Sequence, residues 1–305
     1  MTIPKEVRAV ITKLKKAGFP AFVVGGCSRD FLQGREPNDW DVTTSARPEE
    51  IQKIFPDNFY ENRFLTVTVK TKSRNPRLKE IEITTFRLEA EYSDKRHPDE
   101  VRFAKTLEED LARRDFTVNA IALRLAPLAQ AFGSEAQARR GKPSYEAIDP
   151  FNGRADLEKK ILRAVGNPSD RFQEDALRLL RAVRLAAVLG FRIEPATKKA
   201  AVENSGLLKF VSPERIRDEF VKIVSSPQAF EGIELLRELG LLLYVVPELL
   251  EGVGCGQNKH HIYDCYTHNL LSLKYAVQKN FNLEVRLASL FHDVAKPRVK
   301  KGDGL

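Results

Sequence analysis

Residues 21–51 read AFVVGGCSRDFLQGREPNDWDVTTSARPEEI, and this stretch decides the fold. Ala21–Val24 is a short unbroken apolar run of the kind that makes a fully buried strand. It stops at Gly25-Gly26, and a helical pattern follows through Leu32. Asp39–Thr44 alternates and is rich in β-branched residues, which predicts a second strand. Working outward, Phe64–Lys70 and Glu80–Phe86 carry the same alternation and give two more. Residues 87–103 are polar and contain proline, so they read as a long loop, a feature that often carries function in a compact domain. Thr106-Leu107-Glu108-Glu109 matches a capping box and predicts a helix start. The N-terminal MTIPKEVRAVITKLKK is amphipathic and lacks the apolar core of a signal peptide.

Beyond the first ~125 residues, Ala126 to Tyr145 shows no clear period and reads as an insertion or a mobile hairpin. After Asp149 every segment reads helical: Pro168–Leu189, Pro195–Glu203, Pro213–Val224, Ala229–Leu239, Tyr266–Gln278 and Leu283–Val294, each bounded by Pro, Gly, Ser or Asn. The expected fold class is therefore an α/β head, a mixed sheet with helices, followed by an all-α neck and a partial helical body. Expected boundaries are 1–148, 149–225 and 226–305. A length of 305 residues suits two or three domains. Fifty Lys and Arg against 42 Asp and Glu leave a net charge of +8, which favours an anionic partner, nucleic acid first. Three scattered cysteines, Cys27, Cys255 and Cys265, form neither a disulfide framework nor a C-x-x-C pair, so a reducing cytoplasm is expected. The most apolar stretch, Leu241 to Leu250, falls well short of the ~20 residues a membrane span needs. Membrane and secreted classes are excluded.

On the predicted strand, Asp39 and Asp41 leave the same face about 6.5–7 Å apart. At that distance they repel by roughly 2.5 kcal/mol at an effective dielectric of 20, and a cation between them would offset this. Carboxylates suit a hard ion such as magnesium; the alternative is a solvated strand end. Gly25-Gly26, between a strand and a helix, has the form in which backbone N–H groups receive phosphate, with Arg29 one turn on. Glu82 lies on the face shared by Glu80 and Thr84, either a third carboxylate of the site or an exposed strand residue. Asp175, Arg178, Arg181 and Arg184 recur every three residues along a predicted helix 170–189. Such a stripe is ordinarily an ion-pair ladder.

The quoted stretch resembles the head of the class II tRNA nucleotidyltransferase and bacterial poly(A) polymerase family, in the polymerase-β-like superfamily. ITTFRLEAEY, DLARRDFTVNAIAL, IDPFNGRADLEKKILRAVG, RFQEDALRLLRAVRLAAVLGF and SPERIRDEF agree in the family's order, so the likeness runs over residues ~20–225. The resemblance implies transfer of CMP or AMP from CTP or ATP to the 3′ end of tRNA. Asp39 and Asp41 would hold two magnesium ions, and Gly25, Gly26 and Arg29 would meet the nucleotide phosphates. Arg114 and Asp115 of the R-R-D run match the ribose-reading motif. Asp175 and Arg178 of E-D-x-x-R would read the base, with Arg181 and Arg184 completing the pocket. An A-adding enzyme, a poly(A) polymerase, and a non-catalytic RNA-binding protein on the same scaffold are the alternatives. A full-length 87–103 loop weighs against a C-only adder. Ser28, where the family has an apolar residue, Leu65, where it has glycine, and the long 126–145 segment depart from the pattern.

The C-terminal GVGCGQNKHHIYDCYTHNLLSLKYA and RLASLFHDVAKP resemble the start of an HD domain. His268 and His292-Asp293 match its first metal-ligand positions. Its last carboxylate should lie beyond Leu305, so the third domain reads as cut short.

Overall fold

The computed structural model describes residues 1–61, 66–89, 101–126, 145–256 and 262–299. It divides into two compact units. The first comprises the described residues up to 159 together with 163–166; the second comprises 160–162 and 167 onward.

The first unit is built on a seven-stranded mixed sheet. In chain order its strands are β1 (Ala21–Val24), β2 (Asp41–Thr44), β3 (Asn58–Glu61), β4 (Thr66–Lys70), β5 (Glu80–Thr85), β8 (Ala122–Leu125) and β9 (Tyr145–Ile148). Their spatial order is β3-β4-β5-β2-β1-β8-β9. β1 lies inside the sheet, between β2 and β8, and all four of its residues are buried, as its continuous apolar run requires. β2 pairs antiparallel with β1 and parallel with β5, in a register that sets Asp41 beside Glu82. α1 (Lys5–Lys16) buries Val7, Val10, Ile11 and Leu14, an i, i+3, i+4, i+7 stripe. α2 (Gly26–Leu32) follows β1 directly, and α3 (Pro48–Ile54) follows β2. α4 (Leu107–Ala112) starts at the expected capping box: the Thr106 hydroxyl accepts from Glu109 N–H at 3.2 Å, and Glu109 Oε2 accepts from Thr106 N–H at 3.3 Å. α5 (Gly153–Lys159) ends the unit's helices.

Two sequence expectations are corrected here. Strand β2 begins at Asp41, not Asp39. Residues 38–39 form a bend, and buried Trp40, edge-on to Phe31, anchors the chain between the two aspartates. The alternation survives the bend: Asp39 is exposed, Trp40 buried and Asp41 half-buried. The expected loop 87–103 has strands at both ends, β6 (Arg87–Glu89) and β7 (Val101–Phe103), paired antiparallel; three-residue strands are too short for a visible alternation. Its centre, Leu65, and residues 127–144 of the insertion lie outside the described residues.

The second unit is helical around one core. α6 (Pro168–Glu174) and α7 (Leu177–Leu189) are followed by α8 (Pro195–Glu203), α9 (Pro213–Val224), α10 (Ala229–Glu238), α11 (Leu242–Val245), α12 (Pro247–Glu251), α13 (Cys265–Gln278), α14 (Leu283–Phe291) and α15 (Lys296–Val299). Leu179, Leu180 and Val183 of α7 share a core with Ile223 of α9, Ile233 and Leu236 of α10, and Leu270 and Leu273 of α13. Pro at the first helical position and Asn, Glu or Asp caps set the starts: Asn167 accepts from Ser169 N–H, Glu194 from Thr197 N–H, and Asp264 from Thr267 N–H. Buried Arg286 donates to the carbonyls of Val224, Ser225 and Ser226, closing the C-terminus of α9. The region is not wholly α: β10 (Ile161–Leu162) and β11 (Arg192–Ile193) form a two-residue parallel pair. The expected helix 168–189 is two helices, broken at Asp175-Ala176, because Asp175 takes an extended conformation (φ −140°, ψ 104°). No described helix is long and apolar enough to cross a membrane.

Candidate active site and nucleotide-reading helix

In the first unit the strand–glycine–helix turn and the β2 carboxylates meet. Gly25 has φ +84°, a conformation open to glycine at little cost. A Cβ there would stand 3.2 Å from Asp41 Oδ2 and 3.4 Å from Arg114 Nη1, so Gly25, Asp41 and Arg114 converge on one point. Burial, and then the negative charges of Asp39 and Glu82, push the Asp41 carboxyl up to about 7, with Arg114 opposing them. Glu82 is also raised, by burial and then by Asp39, Glu61 and Glu80. Asp39, Asp41 and Glu82 are thus mutually repelling anions, an arrangement that a bound cation relieves.

This charge excess has a consequence for stability. In metal-free protein, folded Asp41 keeps its proton up to about pH 7, whereas an unfolded aspartate loses it near 3.8. Between those values the native state binds the extra proton, so stability falls as pH rises. Melting temperatures in a chelator are therefore expected to drop from pH 5 to pH 8 more steeply than those of Asp41→Asn, and magnesium is expected to recover the loss mainly at the higher pH. Parallel curves for the two proteins would contradict this.

The neighbouring side chains hold this arrangement in place. The Asp41 N–H donates to Cys27 Sγ at 3.3 Å, and the Cys27 thiol donates to the Val24 carbonyl at 3.1 Å, tying β2 to the β1–α2 turn. Arg29 is 9 % exposed; its Nη1 donates to Asn119 Oδ1 at 2.8 Å and its Nε to Asp30 Oδ1 at 2.8 Å. Asn119 Nδ2 in turn donates to Asp115 Oδ1 at 3.1 Å, which also accepts from Phe116 N–H. Arg29 and Asp115 are therefore joined through one amide. The Ser28 hydroxyl is buried with no hydrogen-bond partner among the described residues, which costs about 1–3 kcal/mol relative to a paired group.

Asp110, fully buried, organises the R-R-D run. It accepts from Arg113 Nε (3.0 Å) and Nη2 (2.8 Å), Arg114 Nη2 (3.1 Å), the Thr43 hydroxyl (3.3 Å) and Arg87 N–H (3.3 Å). Burial pushes its carboxyl up, but Arg113 and Arg114 outweigh that and hold it at about 2. Sequence reasoning missed Asp110, Asn119 and Cys27. The i, i+3, i+4 spacing of Asp110, Arg113 and Arg114 was the signal available for the first; nothing marked the other two.

In the second unit, Asp175 is not part of a helical stripe. Its Oδ1 accepts from Leu177 N–H at 3.0 Å, and Arg215 Nη2 lies 3.3 and 3.0 Å from its two oxygens. Arg178 is 6 % exposed and donates through Nη1 to Glu174 Oε2 at 2.6 Å and to the Arg171 carbonyl at 3.3 Å; Glu174 also pairs with Arg171. Arg184 Nε stands 2.9 Å from Glu219 Oε2, and Arg181 is half-buried on α7. The stripe is thus cross-linked to α6 and α9.

His268, His292 and Asp293 also come together. The two Nε2 atoms lie 3.0 Å apart, and Asp293 Oδ2 is 3.6 and 3.4 Å from them. Among the described residues this is the only group of three His, Cys, Asp or Glu side chains close enough to share an ion. Lys296 Nζ already stands 2.6 Å from the same Asp293 oxygen. His260, His261 and Asp303 fall outside the described residues.

Residues 21–163 match the model of the poly(A) polymerase head domain, and residues 190–252 that of the probable RNA- and SrmB-binding site of polymerase A. The CCA-adding enzyme of Geobacillus stearothermophilus is 40% identical over 242 residues, 79% of this chain and 54% of that protein. That of Lactobacillus helveticus is 42% identical over 233 residues, 76% of this chain and 53% of that protein. The chain belongs to the CCA-adding enzyme and poly(A) polymerase family. It spans about half the length of the curated relatives it matches. The crystal structure of the Bacillus stearothermophilus CCA-adding enzyme in complex with CTP superposes with a TM-score of 0.68 at 32% identity, covering 94% of this chain and 66% of that one. A tRNA nucleotidyltransferase complexed with a primer tRNA and an incoming ATP analogue shares the fold at 23% identity, TM-score 0.68, covering 96% and 76%. A mixed sheet with helices followed by a helical region is therefore the family's architecture as well as this chain's. Enzymes of this family generally use divalent metal ions.

Proposed function

We propose that this chain transfers CMP and AMP from CTP and ATP to the 3′ end of tRNA, in the cytoplasm. The convergence of Gly25, Asp41 and Arg114 carries the reading: a phosphate-receiving turn and a metal-type carboxylate at one point, in a chain about 40% identical to CCA-adding enzymes. Residues 1–148 act as the catalytic head, 149–225 as the base-reading neck and 226–305 as a helical body with the beginning of an HD-like segment.

The donor set is all carboxylate oxygen and carries excess negative charge, which fits magnesium. Magnesium commonly takes one or two carboxylates and completes its shell with water and substrate phosphates. Asp39 and Asp41 would hold two ions, with Glu82 beside them. Bound there, the ions would activate the RNA 3′-hydroxyl and neutralise the triphosphate. The chain's own groups do the rest. The Gly25-Gly26 turn and Arg29 receive phosphates, and Asp110 steadies Arg114 beside the nucleotide, with Asp115 near the sugar.

Asp175 accepts from the exocyclic amine of cytosine or adenine, and Arg178 donates to the adjacent ring acceptor. Arg181 and Arg184 complete that pocket. Uracil and guanine place a carbonyl opposite Asp175 and leave its charge unpaired, so they are rejected.

The test is incubation of the protein and magnesium with CTP or ATP and tRNA ending before CCA, after C, or after CC. Incorporation of both nucleotides is expected. A added only to CC-ended tRNA would mark an A-adding enzyme, and long A tails on any RNA a poly(A) polymerase. No incorporation on any substrate would leave an RNA-binding protein on this scaffold.

A further inference from the structure

We propose that Arg215 is a positioning residue that sets nucleobase selectivity by fixing the carboxylate of Asp175 from α9; the inference rests on Asp175 being a base-reading group. Asp175 stands in the break between α6 and α7, on a residue with extended backbone. Two contacts hold its carboxylate. Leu177 N–H holds Oδ1 from within the same segment, and Arg215 Nη2 reaches both oxygens from a helix 40 residues on. The two restraints fix the position and the plane of the group.

Orientation matters because the rejected bases also carry donors. Uracil and guanine each present a ring N–H one position over from where cytosine and adenine present an amine. A carboxylate free to turn can accept from that N–H and tolerate the wrong base, whereas one locked in plane meets the carbonyl instead. Reading sites of this kind require placement within about 0.5 Å, so a supporting contact acts on selectivity before it acts on folding.

The exposure of the pair points the same way. The side chains of Arg215 and Asp175 remain 29% and 22% exposed, so solvent screens their attraction and the pair adds little to global stability. One turn along the same helix, buried Glu219 faces Arg184 at 2.9 Å. α9 thus holds an acid and a base of the reading face with side chains of opposite charge at i and i+4.

The experiment measures equilibrium binding of CTP, ATP, UTP and GTP to the full chain with magnesium, for wild type, Arg215→Ala, Arg215→Lys, Asp175→Ala and the Arg215→Ala/Asp175→Ala double variant, alongside melting temperatures. Arg215→Ala is expected to erode the preference for CTP and ATP over UTP and GTP by about 10-fold, with melting within a few degrees of wild type. Arg215→Lys should restore part of it, since an ammonium keeps the charge without the planar fork. In the Asp175→Ala background, removing Arg215 should change selectivity no further. An unchanged preference in Arg215→Ala, or equal weakening for all four nucleotides, would reduce the pair to a structural contact and overturn the proposal. Should Asp175→Ala itself keep the wild-type preference, the base-reading assignment fails and the inference with it.

Discussion

Asp41→Ala is expected to lower nucleotide transfer by roughly three to four powers of ten, the equivalent of several kcal/mol of lost transition-state charge stabilisation. The reason is local. Asp41 is the carboxylate that sits against the Gly25 turn and Arg114, and its neighbours Asp39 and Glu82 already strain its ionised form. On the proposed reading, taking it away removes both a metal ligand and the point on which the Gly25 turn and Arg114 converge. Affinity for RNA should survive, because on the proposed function that contact would draw on dispersed Lys and Arg rather than on the carboxylates. The fold should survive too, since removing one of three repelling anions relieves strain. Single-turnover incorporation, filter binding of tRNA and a melting curve on the same preparation separate these effects. Asp41→Ala with turnover within tenfold of wild type would refute the metal assignment.

Asp110→Ala is expected to act in the opposite order, on stability first. The residue is fully buried and satisfies two guanidinium groups, a hydroxyl and a backbone N–H. Removing one partner of a buried, hydrogen-bonded ion group typically costs about 3–5 kcal/mol, because the remaining charges stay buried and uncompensated. For a marginally stable domain that is a large fraction of the total. Asp110→Asn keeps the shape and some of the acceptors, so it should fall between alanine and wild type. Denaturant titration measures the loss, and a cost below about 1 kcal/mol would show that Arg113 and Arg114 find other partners. Activity of Asp110→Asn, assayed where it is still folded, should drop as Arg114 loses its anchor.

The head was legible in the sequence where pattern and chemistry coincided. Ala21–Val24 read as a buried strand and is one, and the capping box at Thr106 announced α4 correctly. What escaped was anything decided by distant packing. β3, β8 and β9 are four residues long, and their alternation is too brief to separate from loop. Asp39 read as a strand residue because the alternation through Trp40 is real, yet pairing to β5 begins only at Asp41. The stripe Asp175–Arg184 followed a true spacing, but a helix break cannot be seen in side-chain periodicity when its cause is a cap: Asp175 turning its carboxylate onto Leu177 N–H. The clamps on that stripe come from Glu174, Arg215 and Glu219, and two of these three are contributed by α9, about forty residues away.

The placement of β2 in the sheet bears on how the head tolerates motion. The strand is hydrogen-bonded on one flank to β1, some twenty residues earlier, and on the other to β5, some forty later. Fraying from an edge would have to remove β3, β4 and β5 on one side, or β9, β8 and β1 on the other, before it reached β2. Asp41 therefore stands at the start of a strand shielded from fraying at either edge of the sheet. If the proposed transfer to an RNA 3′ end is the reaction, this makes the carboxylate its stationary post, and every adjustment between one addition and the next falls to the parts that approach it.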